Sequence, residues 1–313
     1  MAGPQSPVQP AAPLVAPPAA RRFRWLGDRR LAGLFISPAL ALLLFLSVFP
    51  LLWAVYLSFT DYSATRDVPA QWIGLDNYLE ILGSSAVHER AITTAVYVVA
   101  AVTLQTALGF SIAYLISRRT RGRGLMTTLF LVPMMLSPVV VGLFWRFMLD
   151  TQFGVVNSLL GSIGLGQVEW LTNQRMALFS VILVDTWQWT PFIMLIALAG
   201  LTAVPRYLYE AASIDRASEW FRFRHITLPL VWPLLLIAVL FRAIEAFRLF
   251  DLVYILTNGG PGTSTETLSF YVYKVAFLGF DTGTASAYGI LMVLVVIVLA
   301  QVYLRYLEKL KEG

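Results

Sequence analysis

A chain of 313 residues that is 58% hydrophobic and only 13% charged cannot cover a water-facing surface, because soluble chains carry roughly 25% charged residues. The absence of cysteine excludes disulfides, iron–sulfur clusters, thiolate zinc sites and cysteine nucleophiles, and His88 and His225 alone do not build a histidine metal centre. The formal charge of +5 falls in short basic runs beside apolar stretches, which places it against anionic lipid rather than nucleic acid.

In chain order, residues 1 to 20 are rich in Pro and Ala and carry no charge, so they read as a disordered leader. Arg21, Arg22, Arg24, Arg29 and Arg30 follow. The apolar stretch after them is too long for a signal-peptide core and lacks a small-residue cleavage site, which predicts a retained first span. Apolar segments at 32–59, 91–117, 125–149, 177–201, 228–256 and 285–306 are each long enough to cross hydrocarbon about 30 Å thick. The expected fold is therefore all-α and polytopic, with about six transmembrane helices: a basic leader over 1–30 and a membrane domain over 31–313. Sixteen Lys and Arg lie on one set of connections, including Arg118, Arg119, Arg121 and Arg123, against four on the other set, Arg66, Arg90, Arg175 and Lys274. That bias predicts that both termini are cytoplasmic. Residues 61–90 read as a translocated acidic connection, and 151–176 as a short interfacial helix with turns.

The connection over 203–229 carries the most information. Pro205 suits a helix start, and Leu208, Ala211 and Ala212 recur at helical spacing. Ser213 or Asp215 is placed to cap a second short helix, in which Trp220, Phe221 and Phe223 gather beside Arg222 and Arg224. Two short amphipathic helices joined to two spans form a knob that a partner's groove can push or pull. The residues Glu210, Ala211, Ala212, Ile226, Leu228 and Pro229 match, at the right spacing, the cytoplasmic signature of ABC importer permeases, which the chain resembles. In that family the segment docks on the ATPase. The glycine of the signature is Arg216 here, one residue after Asp215, so the turn geometry departs from the pattern.

The stretch F-R-A-I-E-A-F-R-L-F-D-L-V-Y-I-L-T-N-G-G-P-G-T-S-T-E-T-L over 241–268, with S-F-T-D-Y over 58–62 and W-I-G-L-D-N-Y over 72–78, is similar to the carbohydrate-uptake, maltose-type branch. The resemblance implies a transport subunit, not an enzyme, in a bacterial or archaeal inner membrane. It also implies pairing with a second homologous permease, an ABC ATPase dimer and an extracytoplasmic solute-binding protein, with a sugar or sugar-like solute carried by alternating access. The sequence has no G-x-x-x-x-G-K-[ST], so ATP and its Mg are expected on the partner ATPase and no cofactor in this chain.

An ionisable side chain at mid-bilayer costs roughly 2.5 to 3.5 kcal/mol on insertion scales and so marks a pairing or a pathway. In the fifth span Arg242, Glu245 and Arg248 stand three apart and can neutralise one another, with Asp251 close by. In the fourth, Asp185, Trp187, Gln188 and Trp189 put a carboxylate, an amide and two indoles together, the equipment of a carbohydrate passage, though indoles also populate interfacial belts. Arg146 is placed to snorkel outward. Asn258, Gly259, Gly260 and Pro261 form a turn positioned to meet the binding protein. Two other classes would leave different marks in the sequence. An ion-coupled secondary transporter should show internal repeats and broken-helix signals. A polytopic glycosyltransferase should show a carboxylate or histidine constellation at a membrane-facing loop.

Overall fold

The computed structural model describes residues 28–118 and 121–312, with side chains described for 32–118 and 121–309. The expected leader and Arg21, Arg22, Arg24 and Arg119 lie outside the described residues, as do the side chains of Arg29 and Arg30. The chain falls into two units, 1–53 and 54–313. The first holds most of α1 (Asp28–Leu57), along which Phe45, Phe49 and Trp53 stack at centroid distances of 5.6 and 6.5 Å in an i, i+4, i+8 stripe.

In the second unit, α2 (Asp76–Gly83) caps the end of the preceding helix, because the buried Asn77 amide donates to the carbonyls of Ser58 and Thr60, each at 2.9 Å. The expected connection over 61–90 is thus partly helical and includes the start of α3 (Ser85–Ser117). Helix α3 runs parallel to α7 (Gln174–Ala203). A Cβ on Gly109 would lie 2.9 Å from Thr190 O and Met194 N, so glycine is what lets the two backbones approach. Between them in sequence come α4 (Arg123–Met135), α5 (Pro138–Met148) and α6 (Val155–Ser162).

The expected third span is broken: α4 and α5 meet at 92°. Pro138 starts α5, and the residue before a proline avoids helical backbone, so Ser137 is extended at φ −62° and ψ 138°. Helix α6 occupies the stretch foreseen as interfacial, and buried Asn157 holds it by accepting from Val168 N and Trp170 Nε1 at 3.2 and 3.0 Å. In the turn before it, Asp150 accepts from the N–H groups of Gln152 and Phe153, which holds its carboxyl below the usual range.

After α7 come α8 (Arg206–Ile214), α9 (Glu219–Arg222), a π-helical turn (Phe223–Thr227) and α10 (Leu228–Phe247). Helix α10 is antiparallel to α7, since Gly200 faces Val231 while Asp185 meets Arg242. The expected fifth span overran its helix. The N–H groups of Arg248 and Leu249 turn back to Glu245 and Ala246 carbonyls, and Phe250 leaves helical geometry. A separate α11 (Asp251–Leu256) then packs on α5, with Ile255 against Gly142. Next are α12 (Leu268–Tyr273), a second π-helical turn (Lys274–Leu278) and α13 (Thr282–Glu312). Among the described residues five helices are long and apolar enough to cross a membrane, and the count is six if the bent α4–α5 pair is one span. Two apolar cores lie toward opposite ends of α3 and α7, one around Tyr97, Val181 and Leu252, the other around Ile116, Ala197 and Val231.

Candidate functional site

The α8–α9 elbow is built by local chemistry. Helix α8 buries Ala212 and half-buries Leu208, leaving Glu210 and Ala211 on its open side. It ends with Arg216 in left-handed geometry, φ 54°, while Arg216 N–H returns to Ser213 O at 3.2 Å and Ala217 N–H to Ala212 O at 2.9 Å. That is the helix ending normally completed by glycine, so the turn of the expected signature is kept with an arginine in it. The second helix is capped by Ser218, whose hydroxyl accepts from Phe221 N at 3.2 Å, and not by Ser213 or Asp215. The expected aromatic cluster also divides. Phe223 turns inward to Phe110 and Tyr114 at 6.0 and 5.3 Å, and Trp220 stacks on Phe223 at 5.5 Å. Phe221 instead stacks on His225 at 4.2 Å. Tyr209 and Thr227 share a 2.8 Å hydroxyl bond that joins the elbow to the start of α10. Glu210, Asp215, Arg216, Trp220 and Pro229 remain exposed, and Ile226 and Leu228 are partly buried behind them. Between α8 and α9 lies a groove lined by Ala211, Asp215, Ala217 and Phe221.

Midway along α3, α7 and α10 sits a polar hub. The Arg242 guanidinium pairs with the Asp185 carboxylate and donates to Gln105 Oε1 at 2.8 Å, while Gln105 Nε2 donates to Asp185 Oδ2 at 2.8 Å. Asp185 and Arg242 are only 1% and 3% exposed at their side chains. Arg242 also lies over the Trp189 ring at 5.3 Å. The expected ladder within the fifth span is therefore split: Arg242 faces α7, and Glu245 reaches Arg248 at 3.8 Å on the exposed side. Gln188 is buried and donates to Leu136 O at 3.2 Å, a carbonyl released by the α4–α5 break.

The seven expected pathway residues do not converge. Trp189 and Glu245 share an open cavity of about 390 Å³ with Phe192 and Phe241. Trp187 lines a different, apolar cavity beside Trp145. Arg248 is exposed at a cavity that α13 also lines, and Asp251 begins α11 in the open. Sequence reasoning missed Gln105, although an amide in the middle of an apolar run signals a buried partner. It also took Arg90 and Lys274 for loop charges. Both pair with buried Glu266 at 2.6 Å, so Arg90 ties the segment before α12 to α3 and Lys274 ties it to the second π-helical turn.

The Asn258–Pro261 turn combines left-handed Asn258 and Gly259, at φ 52° and 82°, with a cis Gly260–Pro261 bond. A Cβ on Gly259 would lie 2.6 Å from the Phe270 ring, which requires glycine there. Thr265 fixes the turn by donating to Gly260 O at 2.9 Å and meeting Thr257 Oγ1 at 2.7 Å. Arg146 donates to Ile255 O at 3.2 Å just before it.

Residues 105–312 match the family model described as "Binding-protein-dependent transport system inner membrane component". The chain is 43% identical over 267 residues to the probable ABC transporter permease protein y4oQ of Sinorhizobium fredii, covering 85% of each. It is 36% identical to the trehalose/maltose transport system permease protein MalF of Thermococcus litoralis, covering 89% of this chain and 94% of that one. It is 35% identical to the sulfoquinovosyl glycerol transport system permease protein SmoG of Agrobacterium fabrum, covering 92% and 94%. Among solved structures, a bacterial alginate ABC transporter in complex with a pentasaccharide-bound periplasmic protein superposes at TM-score 0.79 and 22% identity, over 90% of this chain and 96% of that one. Identity at that level speaks for the fold alone. A helical membrane bundle with an exposed two-helix elbow, matched over most of its length by these relatives, belongs to the binding-protein-dependent transport system inner membrane component family: it is a multi-pass ABC transporter permease.

Proposed function

We propose that the chain is the membrane-spanning subunit of an ATP-driven importer for a sugar or sugar-like solute delivered by an extracytoplasmic binding protein. It pairs with a second homologous permease, and both are driven by an ABC ATPase dimer that holds ATP and Mg. The termini and the α8–α9 elbow face the cytoplasm, in keeping with the basic bias of the connections on that side.

One observation carries this reading. The elbow presents Glu210, Ala211, Asp215 and Arg216 outward, while Phe223 fastens it to α3, the Tyr209–Thr227 bond ties it to the start of α10, and α8 follows α7 through Val204 and Pro205, so force on the elbow reaches all three. Closure of the nucleotide-binding dimer shifts the elbow, and the bundle alternates between inward- and outward-open states. The names of the trehalose/maltose and sulfoquinovosyl glycerol relatives support a carbohydrate-type cargo. Of the pathway residues, Trp189 and Glu245 offer a ring face and a carboxylate to one open cavity, and the homologous subunit completes the passage. The 258–261 turn, held rigid by Thr265, faces the binding protein.

The chain has no native cysteine, so a single cysteine placed at Glu210 reports its neighbours without background. It is expected to crosslink to the ATPase in the assembled transporter. Glu210→Lys is expected to leave membrane insertion intact and abolish uptake and ATPase association. Normal transport by that variant, or crosslinks only to periplasmic protein, overturns the reading.

A further inference from the structure

A second cavity lies on the inner side of the elbow. It measures about 370 Å³, and its wall brings together Arg118, Arg123, Arg206 and Arg222 with a single carboxylate, Glu219. Glu219 is already engaged: it pairs with Arg118 and lies 3.4 Å from Arg222. Among the described residues neither Arg123 nor Arg206 has an ion pair, and Arg222 Nε is buried without a hydrogen-bond acceptor.

Two of these arginines stand where a cation is least favoured. Arg123 and Arg206 open α4 and α8, at the positive ends of the helix dipoles. Four guanidinium groups and two helix starts around one small cavity repel one another, and an anion between them reverses the sign of every such interaction. Tyr209 and Thr227 add hydroxyls to the same wall, which lies where the long apolar helices α3 and α7 end.

We infer that this cavity is a binding site for a phosphate-ester anion, with Arg118, Arg123, Arg206 and Arg222 as its ligands. Guanidinium forks match phosphate oxygens in pairs, and basic pockets between membrane helices suit anionic lipid headgroups. Its occupant wedges between α8–α9 and the ends of α3, α4 and α7. Binding at this site stands apart from the docking role of the outer elbow surface, so each can fail alone.

The test uses the full-length chain in neutral detergent. Phosphatidylglycerol, phosphatidylcholine and inorganic phosphate at fixed ionic strength are compared by native mass spectrometry and thermal denaturation. Phosphatidylglycerol is expected to bind and raise the midpoint, with phosphatidylcholine without effect. Arg123→Gln with Arg206→Gln should weaken binding by about tenfold or more, while the corresponding lysine pair retains part of it. Protection by inorganic phosphate but not by the lipid assigns a soluble phosphate ester to the same pocket. If the glutamine pair does not fold, Arg206→Gln alone, at an exposed helix start, gives the same reading. Equal lipid binding by wild type and variant, or no effect of either anion on wild type, overturns the site.

Discussion

The hub at mid-bundle and the elbow beyond it are both rich in polar side chains, and they treat them in opposite ways. In the hub, Asp185, Gln105 and Arg242 bond to one another and are almost wholly buried. In the elbow, Glu210 and Asp215 are exposed and, among the described residues, engage no cation. Hydrocarbon enforces the first arrangement, because a polar group without a partner there costs several kcal/mol. Water permits the second, which leaves the groups available to another protein. Position relative to the membrane therefore separates polar residues that hold the fold from those left open at the surface.

The sharpest way to break this contrast is to remove half of the hub. Asp185→Leu strands the Arg242 guanidinium in an apolar setting and is expected to cost about 3 to 5 kcal/mol, seen as lost membrane yield and a lower denaturation midpoint. Combining it with Arg242→Leu should recover most of that loss. A midpoint unchanged by Asp185→Leu would show that the carboxylate serves the passage and not the fold. Next in size is Glu266, whose carboxylate answers both Arg90 and Lys274. Glu266→Gln keeps the shape and removes the charge. With Lys274 partly exposed, the expected cost is about 2 kcal/mol, read from the same midpoint and from earlier proteolysis in the 258–267 segment.

The two regions were also unequally legible in the sequence. Apolar length marked the five long helices, and the two short helices of the elbow were foreseen, because these signals are local. The hub was half visible: Asp185 and Arg242 stood out, but their partnership spans 57 residues and depends on how α10 rotates against α7. Spacing alone suggested the neighbouring Glu245 instead. The α4–α5 break was written in Ser137–Pro138, yet a hydropathy window runs across it undisturbed. The end of α10 at Phe247 left still less trace, since Leu249 and Phe250 continue the apolar run. Gln188 stands among the pathway residues in the sequence, and its bond to the released Leu136 carbonyl, 52 residues away, leaves no local trace.

The smallest expected effect tests whether the elbow, free of hydrocarbon, is shaped by backbone geometry. Arg216 occupies φ 54° at the end of α8, a conformation that costs a side-chain-bearing residue roughly 1 kcal/mol or more and glycine almost nothing. Arg216→Gly should therefore preserve uptake and slow hydrogen exchange at the Ala217 amide, which closes the turn onto Ala212 O, by the equivalent of about 1 kcal/mol or less. Arg216→Val, β-branched and poorly suited to positive φ, should speed that exchange and weaken ATPase association without touching the hub. Identical exchange in the glycine and valine variants would mean that the turn is held by its neighbours and not by its own conformational preference. Loss of uptake in the glycine variant would instead give the Arg216 side chain a direct part in docking, since glycine leaves the backbone of the elbow as it is.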